Sequence, residues 1–192
     1  MVFSIRSAEQ IQSLLQSNLN NGYIVKKTLL REATIESLLE ALSKYDEVSI
    51  RAIICDVLGQ KRARGAVPIL ISLLDDDCSN IRSVAAESLA KIGDVKAGPF
   101  LLERFAKEQE LGVKRMYTAA LGAVMYLPAV ATLVQALLDA DSSLRGSAAW
   151  SLGRLKNTTA VSPLEQALQG ETDAYARQRM QEALETLQKI DN

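Results

Sequence analysis

Four stretches of this chain, residues 50–59, 81–90, 113–122 and 144–153, align without gaps, and their starts lie 31, 32 and 31 residues apart. That spacing limits the fold more than any other feature of the sequence. Each stretch opens on a branched aliphatic (Ile50, Ile81, Val113, Leu144) followed by a cation (Arg51, Arg82, Lys114, Arg145). Each also carries a leucine eight residues after its start: Leu58, Leu89, Leu121 and Leu152. A weaker fifth copy begins near Ala176 and Arg177 and reaches Leu184. A second series runs in step with the first: Val67-Pro68-Ile69-Leu70, Gly98-Pro99-Phe100-Leu101, Val130-Ala131-Thr132-Leu133 and Val161-Ser162-Pro163-Leu164, with Thr34-Ile35-Glu36-Ser37-Leu38-Leu39 ahead of them. A self-similar period of this length marks a repeat architecture.

Each repeat reads as two helices. Proline fits the first turn of a helix, where its missing N–H would lack a partner in any case. Polar stretches such as Asp75-Asp76-Asp77-Cys78-Ser79-Asn80 and Asp139-Ala140-Asp141-Ser142-Ser143 join the two helices, and their Ser and Asn side chains are expected to cap the second. Gly93 after Ile92 reads as a helix stop. In the second helix, positions one, five, eight, nine and twelve fall on one apolar arc at roughly 100° per residue. One such pair cannot cover its own apolar stripe, so neighbouring pairs must stack. The expected fold is all-α: a right-handed α-solenoid of about five helix pairs over residues 34–192, with residues 1–33 an N-terminal helical cap and connector. In the cap, Ser7-Ala8-Glu9-Gln10 reads as a capping box opening a helix to about Leu19, stopped by Asn20-Asn21-Gly22. Tyr23 to Ala33 links it to the first repeat.

Composition agrees. Apolar residues make up 48% and aromatics only 5%, so Ala and Leu dominate, which suits close helix packing and not a sandwich or barrel. The net charge of −1 gives no global field to recruit nucleic acid or an anionic membrane. No apolar run approaches a membrane span, the first residues lack a signal-peptide pattern, and two cysteines do not make a disulfide scaffold. A reduced, cytoplasmic protein is expected. With no histidine, Ser–His and Cys–His nucleophiles and most zinc or non-haem iron sites are out of reach. No metal, phosphate loop or distinctive carboxylate pair is expected, and no catalytic residue is assigned.

Candidates remain for binding. The cations at position two read better as structural than as ligand-binding: the pattern resembles HEAT repeats, and that resemblance implies a ladder in which an acid of a preceding turn bonds each cation, with Asp77 and Asp141 suitably placed. Arg115 stands out because its column is otherwise small (Ala52, Ser83, Gly146). Trp150 sits at position seven, off the apolar arc, where the other repeats carry Asp56, Glu87 and Ala119. It is either an interface anchor or a ring folded against the last repeat. Tyr117, at position five, reads as core. Cys55, at position six, is placed opposite the core, where it could face the groove, and Tyr126 and Tyr175 add aromatic surface near one edge.

This pattern closely resembles HEAT repeats of the phycobilisome-lyase type: a first helix with Pro, an Asp-rich turn, then an aliphatic–Arg–small–small helix ending in Leu-Gly. The resemblance covers roughly residues 34–190. It implies similarity to the E/F-type phycobilin lyases and bilin chaperones of cyanobacteria. In that family the solenoid holds a linear tetrapyrrole and a phycobiliprotein subunit, often together with a second HEAT-repeat subunit, for chromophore attachment or removal. The ligand so implied is of the phycocyanobilin type and not tightly bound. Deoxyhypusine hydroxylase, another HEAT-repeat enzyme, needs His-Glu pairs absent here. Arg115, Arg145 and Trp150 are the expected concave-face residues, with Cys55 and Glu87 as further binding candidates. The alternative is a non-catalytic HEAT-repeat adaptor or assembly factor gripping a partner protein. A nucleic-acid solenoid resembling the alkyl-purine glycosylases is remote at this net charge.

Overall fold

The computed structural model describes residues 4–18 and 21–190. Helices alternate along the chain: α1 (Ala8–Ser17), α2 (Gly22–Glu32), α3 (Ile35–Lys44), α4 (Val48–Gln60), α5 (Val67–Ser72), α6 (Ser79–Ile92), α7 (Gly98–Lys107), α8 (Leu111–Ala123), α9 (Val130–Ala136), α10 (Ser142–Leu155), α11 (Val161–Gly170) and α12 (Ala174–Gln188). Among the described residues none of these helices is long and apolar enough to cross a membrane. The chain divides into two compact units, one ending at Asp94 and the other starting at Val95.

In the first unit α1 packs on α2 and α3, α2 on α4, and α6 on α4 and α5. The expected cap is therefore itself a helix pair, and the connector from Tyr23 is helical. Ser7 and Gln10 form the expected capping box, but α1 ends at Asn18, and Leu19 and Asn20 lie outside the described residues. Asn21 starts the next helix instead of stopping the last, because its side chain accepts the Ile24 N–H at 3.2 Å. Ile5 pairs with Ala33 through Ile5 N–H to Glu32 O (2.8 Å) and Thr34 N–H to Ile5 O (3.0 Å), which ties the leading segment between α2 and α3.

In the second unit α7 packs on α8, α8 on α10, α9 on α10, and α12 on α10 and α11. Second helices of successive repeats thus touch directly within each unit. Ile54, Leu58, Ile81, Leu89, Leu121, Leu144 and Leu152 are fully buried, as the apolar arc requires. Each contributes about 1.5–3 kcal/mol by leaving water. Tyr117 is likewise fully buried.

Position six departs from expectation. Cys55, Ala86, Thr118 and Ala149 are all fully buried. The second helix is covered on two sides, by its own first helix and by the second helix of the neighbouring repeat. A single-arc reading saw only the former. At the latter contact a Cβ on Gly59 would lie 2.7 Å from Ser88 Cα, and one on Gly122 would lie 2.7 Å from Ser151 Cα. The two serines donate to backbone oxygens of the facing helix, Ser88 Oγ to Cys55 O and Ser151 Oγ to Thr118 O, both at 2.8 Å. That close approach needs glycine.

Ser7, Asn21 and Thr34 cap α1, α2 and α3, but the second helices α10 and α12 are capped by Asp rather than by the Ser and Asn expected. Asp141 accepts the Leu144 N–H at 2.7 Å and Asp173 the Ala176 N–H at 3.0 Å. Ser79 and Asn80 lie inside α6, and the Asp76 carboxylate accepts the Cys78 N–H at 2.9 Å. Helix ends repeat too. Gly93 takes φ +73° after α6, and at the same repeat position Arg62, Met125 and Lys156 take φ +51°, +58° and +54°. The left-handed region costs a residue with a Cβ about 1–2 kcal/mol. Arg62→Gly is therefore expected to stabilise the chain by about 0.5–1 kcal/mol after glycine's unfolded-state entropy is counted. An unchanged or lower denaturation midpoint would contradict this.

Candidate functional site

Positions three, seven and eleven of the second helices are exposed or half-buried except at Gly146, which lies under the Tyr175 ring, and they differ sharply between the units. In the first unit they carry Ala52, Asp56 and Gln60 on α4 and Ser83, Glu87 and Lys91 on α6. Asp56 accepts hydrogen bonds from Lys91 Nζ (2.8 Å), Gln60 Nε2 (3.1 Å) and Lys26 Nζ of α2. Partial burial opposes charge on Asp56, but these three donors outweigh it and hold the carboxyl near 2. Glu87, a sequence candidate, is exposed and pairs with Lys91 at 2.9 Å. A cavity of about 370 Å³ opens here, and its charges already satisfy one another.

The second unit is different. Trp150 on α10 is half-buried and lines a cavity of about 470 Å³ with Arg154, Lys156, Arg179 and Glu182. The Arg154 guanidinium lies 5.5 Å from the Trp150 ring centre. Arg179 lies 5.3 Å from the Tyr175 ring centre and pairs with Glu182 at 2.9 Å. Among the described residues no carboxylate pairs with Arg154 or Lys156. The cavity therefore offers an aromatic face and three cations against one acid. Cation–π stacking of this kind contributes about 0.5–1 kcal/mol in an open setting, and the Arg179–Glu182 pair is as weak as other exposed pairs. Arg154 and Arg179 are held against aromatic rings, and Lys156 is exposed at the cavity rim.

The other candidates fall elsewhere. Arg115 lines a separate cavity of about 350 Å³ with Met116, Ser143, Ser147 and Tyr175. Arg145 turns away from any groove. Its Nε and Nη2 clasp the Glu171 carboxylate at 2.6 and 2.7 Å, while Nη1 donates to Asp139 O and Ala140 O at 2.9 and 3.0 Å. The ladder thus exists, but its acids differ from those expected: Arg51 pairs with Asp76 at 2.5 Å and Arg145 with Glu171, each one repeat further on. Asp77 gives only its carbonyl, to Arg82, and Asp141 is a cap. Cys55 does not reach the groove. It is fully buried, and burial pushes its thiol up to about 12. Tyr175 is 45% exposed with its ring over Gly146, and Tyr126 is half-buried against Gly98.

Sequence reasoning missed Arg154, Lys156 and Arg179. Two of them were signalled by an aromatic and an arginine four residues apart, Trp150/Arg154 and Tyr175/Arg179, a spacing that stacks side chains on one helix face.

The family model for HEAT repeats matches residues 35–122 and 111–185. No curated protein matches the chain. Among solved structures, the chain is similar to a chain of the complex of CpcE and CpcF of phycocyanin lyase from Nostoc sp. PCC7120, with 23% identity and a TM-score of 0.64 over 83% of this chain and 98% of that one. It is also similar to a designed armadillo repeat protein in complex with the peptide (KR)4, at 21% identity and a TM-score of 0.53 over 94% of this chain and 87% of that one. These likenesses concern the fold, an all-α solenoid. With repeats matched over most of its length and the expected helix pairs in both units, the chain belongs to the HEAT-repeat family.

Proposed function

We propose that this chain is a lyase-like binding solenoid that holds a linear tetrapyrrole of the phycocyanobilin type and presents it to a phycobiliprotein subunit. The observation that carries this reading is the Trp150 cavity, where an indole and the cations Arg154, Lys156 and Arg179 converge. A conjugated, open-chain tetrapyrrole offers flat rings for the indole and propionates for guanidinium and ammonium groups. The likeness to a chain of the CpcE–CpcF complex of phycocyanin lyase supports it. What such a site contributes to attachment or removal is position: holding two reactants in register lowers a barrier by up to about 7–11 kcal/mol without acid–base help.

The test is a titration of the purified chain with phycocyanobilin, followed by absorbance and fluorescence, alone and with apo-phycocyanin. A saturable red-shifted spectrum is expected. Trp150→Ala should weaken it about ten-fold, whereas Glu87→Ala, in the other unit, should leave it unchanged. No spectral change in either mixture would sink the tetrapyrrole reading and favour a non-catalytic adaptor.

A further inference from the structure

The Trp150 cavity holds one acid among its cations, and that acid stands where an anionic ligand would bind. Glu182 lines the cavity. Its Oε2 accepts from Arg179 Nη1 at 2.9 Å, and its Oε1 accepts from Gln178 Nε2 at 2.8 Å. The carboxylate thus takes up on Arg179 a donor that a ligand carboxylate would use. Among the described residues neither Arg154 nor Lys156 carries such a partner.

Three features let a ligand displace this contact. It joins residues three apart on α12, so no backbone has to move when it breaks. The Glu182 side chain is 45% exposed, which leaves it water to turn into. Gln178, itself exposed, can keep donating to Glu182 once Arg179 has gone over to the ligand. Arg179 meanwhile stays in place, because its guanidinium lies against the Tyr175 ring. Arg145 and Glu171 make the opposite case, since parting that pair would strand a buried charge. We infer that Glu182 is an internal competitor of the ligand. It occupies Arg179 in the empty site, a carboxylate of the bound molecule takes its place, and the exchange holds affinity down so that the tetrapyrrole is passed on rather than retained. The inference rests on the tetrapyrrole reading and adds the regulation of its site. Three cations against one acid leave the lining a net charge of +2, and removing the acid raises it to +3, so a propionate meets a stronger attraction once Glu182 is gone.

Phycocyanobilin is titrated at low salt into the wild type, Glu182→Gln and Glu185→Gln, and the absorbance is followed. Glu182→Gln is expected to bind about two- to five-fold more tightly than the wild type, the range that an exposed ion pair spans. Added salt should narrow that gap. Glu185 is exposed on the same helix and outside the cavity lining, so Glu185→Gln controls for bulk charge and should bind as the wild type does. An equal gain in Glu185→Gln would overturn the inference. Weaker binding by Glu182→Gln would overturn it too, by making the carboxylate a contact that the ligand uses. If the wild type binds and Glu182→Gln gains nothing, the tetrapyrrole reading stands and this inference alone falls. If neither protein changes the spectrum, the reading falls and takes the inference with it.

Discussion

Arg145→Ala is expected to cost the chain about 3 kcal/mol of folding stability, read as a drop in the urea or thermal midpoint. The Glu171 side chain is only 2% exposed, and its carboxylate takes two hydrogen bonds from the guanidinium. Without Arg145 that charge stays buried, held only by the Thr172 and Asp173 N–H groups at 3.0 and 2.8 Å. The turn ahead of α10 loses its donor as well. Pairing Arg145→Met with Glu171→Leu should cost clearly less than the two single losses added together, since neither charge is then stranded. Additive losses would mean that the pair is not coupled. Acid gives a second check. The Arg145 bonds, set against burial and helped by the Asp173 and Thr172 amides, bring Glu171 from its ordinary 4.5 to about 2. The unfolded chain therefore takes up this proton first, so the stabilisation is complete above about pH 4.5 and is lost as pH falls toward 2. Asp56, also held near 2, adds to the loss in that range. Arg145→Ala should flatten the wild-type acid limb, and an unchanged slope would contradict the assignment.

Two glycines of α8 are expected to respond with opposite sign. Gly122→Ala should destabilise by about 1–3 kcal/mol, because its methyl would overlap the α10 backbone at Ser151 and a rigid helix pair yields only by moving apart. Gly112→Ala meets nothing within 4 Å and should stabilise by about 0.5 kcal/mol, since alanine loses less backbone freedom. Denaturant titration of the two variants, made side by side, decides this. A mild effect at Gly122 would show that the α8–α10 contact is looser than described.

The helix pairs were legible in the sequence because burial on one side of a short amphipathic helix leaves a periodic trace. Ile54, Ala85, Tyr117 and Ala148 are all fully buried where position five puts them. The second packing surface was not legible, because it is built from Gly59, Cys55, Ser88, Thr118 and Ser151, small or polar residues that leave no apolar stripe. That is why Cys55 was placed outward. The ladder was foreseen as a kind of contact, but its acids were misassigned, since a carboxylate one repeat onward is near in space and far in sequence. Trp150 was found as an irregularity within its column. Its neighbours Arg154 and Arg179 were not, because an arginine on an exposed helix face is ordinary until the fold sets it beside a ring.

The left-handed helix ends have a bearing on how this protein can change. Met125 and Lys156 both adopt that conformation, and both line the Trp150 cavity. Glycine at either position would relieve strain and remove a side chain from the cavity rim in the same step. Selection for thermal robustness alone would therefore push these two positions toward a residue that strips the pocket, while selection for occupancy would keep the strain. A library ranked by melting temperature should enrich glycine at Arg62 and at Lys156 alike, and one ranked by ligand retention only at Arg62.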